Sequence, residues 1–418
     1  MSDIMHKILE ITENISITEV VMKKIYSVIF ILLAFIITFG CFSGFTTSKS
    51  YADEISKKQI NTITAKSKSA YLIDFDTNTV IYSKNELEKM PIASMCKIMT
   101  LLLCFEAIEN NELSLDDVVI VSENASGMGG SHVFLEANGE YQVGDLIKSI
   151  VVASANDACV AMAEKLCGNQ QVFVNKMNEK TKELGMDNTV FVNCTGLPCA
   201  GQFSCAKDVS IMFSELLKHD NYYMFSKIWT DVVIHPNNRK TEISNTNKLI
   251  RFYQGCDAGK TGYTNEAGHC LAASACRNGM RLISIVISAQ NSKERFADVS
   301  NMFNFGFGNF VNKKIIDKNK PLDLDIQVKG GKKDKLEVVC ERSVYLFSEK
   351  TKKRSVEFSF EPKENLFAPI KIGELVGVLH VFENGVEINS VNVLANENIL
   401  AKNYFDIIGD ISNNWSIV

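Results

Sequence analysis

Three short polar motifs lie in otherwise apolar segments of this 418-residue chain, and they restrict how it can fold. Ser94-Met95-Cys96-Lys97 opens an apolar helical stretch, Ser154-Ala155-Asn156 interrupts another, and Lys260-Thr261-Gly262 opens a region of β character. Buried polar side chains need hydrogen-bond partners. Together the motifs supply a nucleophile, a base, a proton-shuttling hydroxyl and a cationic anchor, so we interpret them as one site.

The first motif supplies a nucleophile and a base. Positions i and i+3 of a helix share a face, so the Ser94 hydroxyl and the Lys97 amine are expected within reach of each other. A lysine in a water-poor cleft loses its proton more readily and can then accept the serine proton. A serine hydroxyl needs such a base to act as a nucleophile. The motif thus favours acyl transfer through a serine ester.

The other two motifs complete the set. Ser154 can relay a proton to a leaving amine, and the Asn156 amide can orient Lys97 and a substrate peptide bond. Lys260 and the Thr261 hydroxyl can hold a substrate carboxylate. Each motif alone is also typical of a capped loop or an ordinary strand start, whereas the three together in this order are not.

The third motif also suggests how a substrate would lie. Gly262 leaves room for an extended peptide to pair with the strand. The backbone N–H groups of Ser94 and Tyr263 are the expected donors to the oxyanion that forms during acyl transfer.

Further segments resemble the low-molecular-mass penicillin-binding proteins, which are serine-type D-alanyl-D-alanine carboxypeptidases. The resemblance covers roughly residues 63–310. It implies an α+β fold: a serine β-lactamase/transpeptidase-like domain, with an antiparallel sheet flanked by helices and a helical subdomain, followed by a small all-β sandwich. The segments are Pro91–Ser94, Gly127–Ser131, Phe134–Glu136, Asn156–Ala158, Asn245–Leu249, Lys260–Thr264 and Asn278–Leu282.

The resemblance also implies roles and partners. Ser94 would form the acyl ester, Lys97 would accept its proton, and Arg295 would help to position the terminal carboxylate. The implied substrate is a peptidoglycan stem peptide that ends in D-Ala-D-Ala, with β-lactam antibiotics as covalent inhibitors, and the process is cell-wall biosynthesis. No cofactor or metal is implied. The remaining implied site residues are Ser154, Asn156, Lys260, Thr261, Gly262 and Tyr263.

Three departures from the family pattern bear on substrate fit and rate rather than on mechanism. Cys96 stands where a threonine is expected, and Gly259 stands where a larger apolar residue usually precedes the lysine. The segment Gly201–Cys205 lacks the usual histidine after its glycine.

Two other functions remain as alternatives. A β-lactamase shares the three motifs but needs efficient deacylation, commonly through a glutamate-held water. No convincing glutamate motif lies near Asn193–Gly201, and an appended β-domain is unlike a free lactamase. A non-catalytic sensor of wall peptides is the second alternative, and the intact catalytic residues weigh against it.

Residues 1–52 are interpreted as a signal peptide region. Met22-Lys23-Lys24 is a positive segment, Ile25–Phe39 is apolar, and Ser50-Tyr51-Ala52 fits a cleavage site. Met1 and Met22 both remain possible starts, and an uncleaved anchor is the alternative to cleavage. Residues 53–62 are interpreted as a linker. Export would place the protein in the cell wall or at the outer face of the cytoplasmic membrane.

The remaining chain is divided by composition. Residues 63–312 form the predicted catalytic domain, a polar stretch covers Asn312–Pro321, and residues 321–400 form the predicted β-domain. The tail, 401–418, places apolar residues near one helical face, and both membrane contact and docking onto the β-domain remain open for it. The net charge of −5 does not suggest a nucleic-acid partner. The apolar tail residues are Tyr404, Ile408, Ile411 and Trp415.

Periodicity predicts the main elements. Predicted hairpins cover Ala70–Tyr82, His269–Ala289 and Leu375–Leu394. Predicted helices cover Ser94–Ile108, Asp145–Leu166 with a break near Ser154, Val172–Leu184, Asp208–Leu217 and Phe296–Phe305.

Eleven of the twelve cysteines follow Ala52. An odd number argues against complete pairing. No C-x-x-C pair or zinc-ligand spacing occurs. Most of these cysteines are therefore predicted to be small buried hydrophobic residues.

Overall fold

The computed structural model of the protein describes residues 65–415. The predicted signal peptide region (1–52) and linker (53–62) lie outside the described residues, as do the side chains of Ile411 and Trp415.

The described chain mixes strands and helices throughout. The strands are β1 Ser69–Asp74, β2 Val80–Lys84, β3 Val118–Ile120, β4 Glu140–Gln142, β5 Thr230–Ile234, β6 Lys240–Ser244, β7 Cys256–Thr264, β8 Gly268–Arg277, β9 Met280–Ala289, β10 Phe310–Ile316, β11 Val338–Cys340, β12 Val344–Glu349, β13 Glu357–Pro362, β14 Leu375–Glu383 and β15 Val386–Ala395. The helices are α1 Lys97–Glu109, α2 Glu123–Ser126, α3 Val143–Ala153, α4 Asn156–Cys167, α5 Gln170–Glu183, α6 Ala206–Leu216, α7 Tyr222–Ser226, α8 Leu249–Phe252, α9 Ser292–Asn309 and α10 Tyr404–Trp415.

A five-stranded antiparallel sheet, in the order β2-β1-β9-β8-β7, forms the centre of the larger part. Its inner strands are buried on both faces, because α6 and α9 pack against them. The predicted hairpin between β8 and β9 is present. Asn278 and Gly279 have φ values of 51° and 80°, as a type I′ turn requires. β7 lies at one edge of this sheet, and the turn Ala93–Cys96 packs against it.

A helical subdomain packs around α1, which is buried over most of its length. Helices α3, α4, α5 and α6 all contact it. The predicted interruption near Ser154 is real: α3 ends at Ala153, and α4 begins at Asn156. The helix break therefore lies between two helices that both contact α1.

The predicted helical stretch Ser94–Ile108 is present, but its first turn is not α-helical. Ser94 lies in a 3₁₀ turn, Ala93–Cys96, and the α-helix begins at Lys97. Side chains at i and i+3 eclipse in a 3₁₀ turn, so Ser94 and Lys97 still face the same way. Two glycines pack closely against this turn. A Cβ added at Gly196 would lie 2.0 Å from the Ala93 carbonyl oxygen, and one added at Gly262 would lie 2.7 Å from the Ile92 carbonyl oxygen.

The C-terminal part contains a four-stranded antiparallel sheet, in the order β11-β15-β14-β13, and the two-stranded sheet β10-β12. Its apolar core is separate from that of the larger part. Strand β10 was not predicted, and the proposed domain boundary at residue 312 falls inside it. Phe310 stacks on Phe347 with ring centroids 5.1 Å apart, and Asn312 Nδ2 donates to the Asp74 carboxylate at 3.0 Å. Strand β10 therefore contacts both parts.

The tail forms helix α10, whose described apolar side chains are exposed. Asp406 pairs with Lys332 at 3.0 Å, and Asp410 pairs with Lys402 at 2.8 Å. Among residues 65–415, no helix has the length and apolar character to cross a bilayer. The exposed apolar residues are Tyr404, Phe405, Ile407 and Ile408.

The eleven cysteines of the described chain are all unpaired, and most are buried, as predicted. Cys199 is exposed, and Cys167 and Cys276 are partly exposed.

Candidate active site

Ser94 and Lys97 form the centre of the site. Lys97 Nζ donates to Ser94 Oγ at 3.0 Å and to the backbone carbonyl of Thr195 at 2.6 Å. The lysine is fully buried, and this burial lowers its pKa from the ordinary value of 10.5. A lysine with a lowered pKa can be neutral and can accept the serine proton. The predicted nucleophile and base are thus brought together.

Ser154 and Lys260 form a second contact. Ser154 caps α3 in the left-handed conformation, with φ 63°, and its Oγ accepts from Lys260 Nζ at 2.7 Å. Lys260 Nζ also donates to the Thr261 carbonyl at 3.0 Å. Burial holds the Lys260 pKa well below 10.5, and the charge of Lys97 lowers it further. The second and third motifs therefore meet through this contact.

Asn156 is 3% exposed and turns toward a neighbouring loop. Its Nδ2 donates to the Gly129 carbonyl at 2.7 Å, and its backbone N–H donates to the Ser131 carbonyl at 2.7 Å. Its Oδ1 has no hydrogen-bond partner among the residues described. The expected contact with Lys97 is not among the hydrogen bonds of Asn156.

Arg295 is 7% exposed and lies against the backbone of β7 and β8. Its Nη1 donates to the Gly262 carbonyl at 3.3 Å and to the Cys270 carbonyl at 3.2 Å. Burial lowers its pKa to about 10. These contacts tie Arg295 to the backbone of both strands, and its expected contact with a substrate carboxylate stays a prediction.

The other two residues of the β7 end differ in exposure. Thr261 Oγ1 donates to Thr246 Oγ1 at 2.8 Å. The Tyr263 side chain is 56% exposed and stacks on His269, with ring centroids 4.4 Å apart. Tyr263 therefore lies at the open rim of the strand.

The loop Asn193–Gly201, whose residues were not predicted to belong to the site, fixes Thr195 next to Lys97. Asn193 Oδ1 accepts from the backbone N–H groups of Gly196 at 2.7 Å and Thr195 at 3.2 Å. Gln202 Oε1 in turn accepts from Val192 N at 2.9 Å and Asn193 N at 3.0 Å. Gln202 stands where the family pattern has a histidine, and its side chain holds the backbone of this loop.

Among residues 65–415 there is no cluster of three or more histidine, cysteine or acidic side chains that could hold a metal ion. The polar groups of the site fit serine acyl transfer: two serine hydroxyls, two buried amines and an amide.

Comparisons with known proteins agree with this chemistry. A family model described as D-alanyl-D-alanine carboxypeptidase matches residues 54–291, and one described as the C-terminal domain of penicillin-binding protein 5 matches residues 310–400. The chain is 38% identical over 360 residues to D-alanyl-D-alanine carboxypeptidase DacF of Bacillus subtilis (strain 168), covering 86% of this chain and 92% of that protein.

Solved structures show the same fold. Penicillin-binding protein 5 from Haemophilus influenzae has a TM-score of 0.66 at 28% identity, covering 81% of this chain and 98% of its own. A serine-to-alanine mutant of the Streptomyces K15 DD-transpeptidase has a TM-score of 0.56 at 25% identity, covering 59% of this chain and 99% of its own. The predicted fold class, a transpeptidase-like α+β domain followed by an all-β domain, is confirmed. The chain belongs to the D-alanyl-D-alanine carboxypeptidase family of penicillin-binding proteins.

Proposed function

We propose that this D-alanyl-D-alanine carboxypeptidase removes the terminal D-Ala of peptidoglycan stem peptides through an acyl ester on Ser94. The observation that carries the proposal is the contact between the Ser94 hydroxyl and the buried, low-pKa amine of Lys97. The backbone carbonyl of Thr195 holds the Lys97 amine from its other side. Because this partner is a backbone group, the amine has a fixed position relative to the Ser94 hydroxyl.

The first half-reaction forms the ester. Neutral Lys97 takes the proton of Ser94, and the serine oxygen attacks the carbonyl carbon of the penultimate D-Ala. The backbone N–H groups of Ser94 and Tyr263 stabilise the resulting oxyanion. The peptide C–N bond then breaks, and the leaving amine takes a proton through the Ser154 hydroxyl.

The second half-reaction hydrolyses the ester and regenerates the free enzyme. A water molecule attacks the ester carbonyl, its proton passes to Lys97, and the trimmed peptide leaves as Ser94 regains its hydroxyl proton. Lys260 and Thr261 hold the terminal carboxylate of the substrate during acylation. Arg295 contributes by fixing the strand that carries them.

The test is release of D-alanine from a diacyl tripeptide that ends in D-Ala-D-Ala, using residues 53–418 with and without penicillin. Penicillin-sensitive release is expected, and Ser94→Ala should abolish both release and penicillin labelling. Release that persists in the Ser94→Ala variant would refute the mechanism. Rapid turnover of penicillin would instead favour a β-lactamase, and labelling without release would favour a sensor of wall peptides.

We further propose that the enzyme is exported and that helix α10 contacts the membrane surface. Four exposed apolar side chains on this short helix support membrane contact, and the ion pair of Asp406 with Lys332 ties the same helix to the C-terminal part. Sedimentation with anionic lipid vesicles tests this directly. We expect the full chain to bind and a chain that ends at Lys402 to remain in solution. Equal binding by both would refute the role of α10.

A further inference from the structure

A loop of the helical subdomain lies directly beside Asn156. The Gly129 and Ser131 carbonyls accept hydrogen bonds from Asn156, and an added Cβ at Gly130 would lie 2.8 Å from Asn156 Nδ2. His132 continues this contact, because its Nδ1 lies 2.6 Å from the Gly130 carbonyl. A carbonyl only accepts, so Nδ1 carries the proton. The loop is thus continuous with the site wall opposite β7.

Phe134 stands out in this loop for two reasons. Its φ of 63° is in the left-handed region, which bulky residues rarely adopt. Its side chain is nevertheless 57% exposed, although both neighbouring residues in the chain, Val133 and Leu135, are buried. The His132 ring meets it edge to face, with centroids 4.3 Å apart. Strained residues of this kind persist where the surrounding structure fixes them, and they are concentrated at functional sites.

Two charged residues fix the backbone on both sides of Phe134. The buried Asp157 carboxylate accepts from Val133 N at 3.1 Å and from Leu135 N at 3.1 Å. Arg239, in the turn between β5 and β6, donates to the Phe134 carbonyl at 2.6 Å. Arg239 also pairs with Glu136 at 3.2 Å. The fold therefore holds an aromatic side chain out into solvent at a cost in backbone strain.

We propose that Phe134 and His132 form a binding platform for the stem-peptide residues that precede the last three. This inference rests on the proposed function. A peptide whose terminal carboxylate lies at Lys260 extends past Asn156, and two further residues add about 7 Å of chain. An aromatic pair offers apolar contact area to that segment, and its fixed geometry lowers the entropy lost on binding. Phe134 is thus a specificity-determining residue.

The test compares two substrates that differ only in this segment: the diacyl tripeptide and a complete stem pentapeptide. Phe134→Ala is expected to raise KM for the pentapeptide about tenfold and to leave kcat/KM for the tripeptide within about twofold. Phe134→Gly should give the same result and is free of backbone strain. Phe134→Tyr should retain wild-type selectivity. The matched control is Phe358→Ala, because Phe358 is 49% exposed on β13.

Arg239→Ala tests the platform without removing the ring. Loss of its bond to the Phe134 carbonyl should raise KM for the pentapeptide while the tripeptide reaction and penicillin acylation stay unchanged. Equal effects of the Phe134 variants on both substrates, or no effect on either, would overturn the platform and leave the carboxypeptidase function intact. Failure of the wild-type enzyme to release D-alanine from either substrate would instead refute the proposed function, and the platform with it.

Discussion

At the residue scale, the Lys97 amine is a costly feature of the fold. Its hydrogen-bond partners, Ser94 Oγ and the Thr195 carbonyl, are neutral, and its pKa is lowered by burial. A lowered pKa means that the folded state binds the proton less tightly than the unfolded state. The charged amine therefore destabilises the folded state at pH values below 10.5, the pKa of the lysine in the unfolded chain. The free energy of unfolding rises as the pH increases from the lower, folded-state pKa to 10.5.

Replacing this amine should separate stability from activity. We expect Lys97→Met to raise the free energy of unfolding near neutral pH by about 1 kcal/mol and to abolish penicillin acylation. Urea unfolding and penicillin labelling measure the two effects. Lys66→Met is the control, because its side chain is 72% exposed and its loss should change neither. A less stable Lys97→Met protein would show that the hydrogen bonds of the amine outweigh its desolvation.

The same lysine should set the pH dependence of acylation. Only its neutral form accepts the Ser94 proton, so the second-order rate constant for penicillin acylation should rise with pH and level off at a pKa below 10.5. Lys97→Arg should be inactive throughout, because a guanidinium stays protonated. A wild-type profile that falls as pH rises through the alkaline range would contradict Lys97 as the general base.

Gly196 lies against the turn that carries Ser94. An added Cβ there would lie 2.0 Å from the Ala93 carbonyl oxygen, next to Ser94, and its φ is 81°. Gly168 has a similar φ of 77°, but its added Cβ meets nothing within 4 Å. Both alanine variants should therefore carry the same backbone strain, while Gly196→Ala should cost about 3 kcal/mol more and slow acylation. Equal losses of stability, measured by urea unfolding, would show that the close approach is unimportant.

The sequence predicted the side chains of the site better than its backbone. Ser94, Lys97, Ser154 and Lys260 are polar residues in apolar surroundings, and such a pattern is visible without a structure. The Thr195 carbonyl is a backbone group, and no residue type identifies it. Its position depends on Asn193 and on the fold of a loop, which only the structure provides.

At the scale of elements, the hairpins and long helices followed from periodicity, and strand β10 did not. Its sequence, FVNKKII, combines polar exposed residues with Phe310 and Asn312, which are buried against different neighbours. The sequence of this segment therefore resembles that of a polar loop between two elements. Pairing with β12, far along the chain, makes it a strand.

The junction between β1 and β10 should respond to pH. The Asp74 pKa is raised to about 6 by burial, although Thr77 and Asn312 donate to its carboxylate. A raised pKa means that the folded state binds the proton more tightly. Protonated Asp74 therefore makes its full contribution to stability below pH 3.8, the pKa of the carboxyl group in the unfolded chain. This contribution is lost as the pH rises from 3.8 to about 6.

Asp74→Asn should remove this dependence. The Asn312 amide can turn so that its unpartnered Oδ1 accepts from the new side chain. Above about pH 6, the variant should be more stable than the wild type by at most about 3 kcal/mol, and the difference should shrink toward about pH 4. Urea midpoints across this range measure it. Asp323→Asn is the control on an exposed carboxylate, and a difference for Asp74→Asn that is independent of pH would contradict the assignment.

At the scale of the whole molecule, the order of the parts followed from composition and resemblance, but their contact did not. The contacts of Phe310 with Phe347 and of Asn312 with Asp74 join residues far apart in sequence. Neither is marked by a local pattern. The two parts share strand β10, so changes in the C-terminal part are expected to reach the sheet that carries the site.

Cutting the chain after Asn309 tests how far the catalytic part depends on the rest. The structure of the Streptomyces K15 transpeptidase covers 59% of this chain, so the fold itself can form without the β-domain. Residues 53–309 should therefore fold and release D-alanine from the diacyl tripeptide. They should lose about 2 kcal/mol of stability, because the cut uncovers surface beneath Phe310 and removes the Asn312 donor from Asp74. Loss of penicillin labelling in urea measures this change. A chain that ends at Lys402 lacks only α10 and should match the wild type in the same assay. Unchanged stability of residues 53–309 would mean that β10 merely rests against the sheet, whereas an insoluble or inactive product would mean that the catalytic part cannot fold without it.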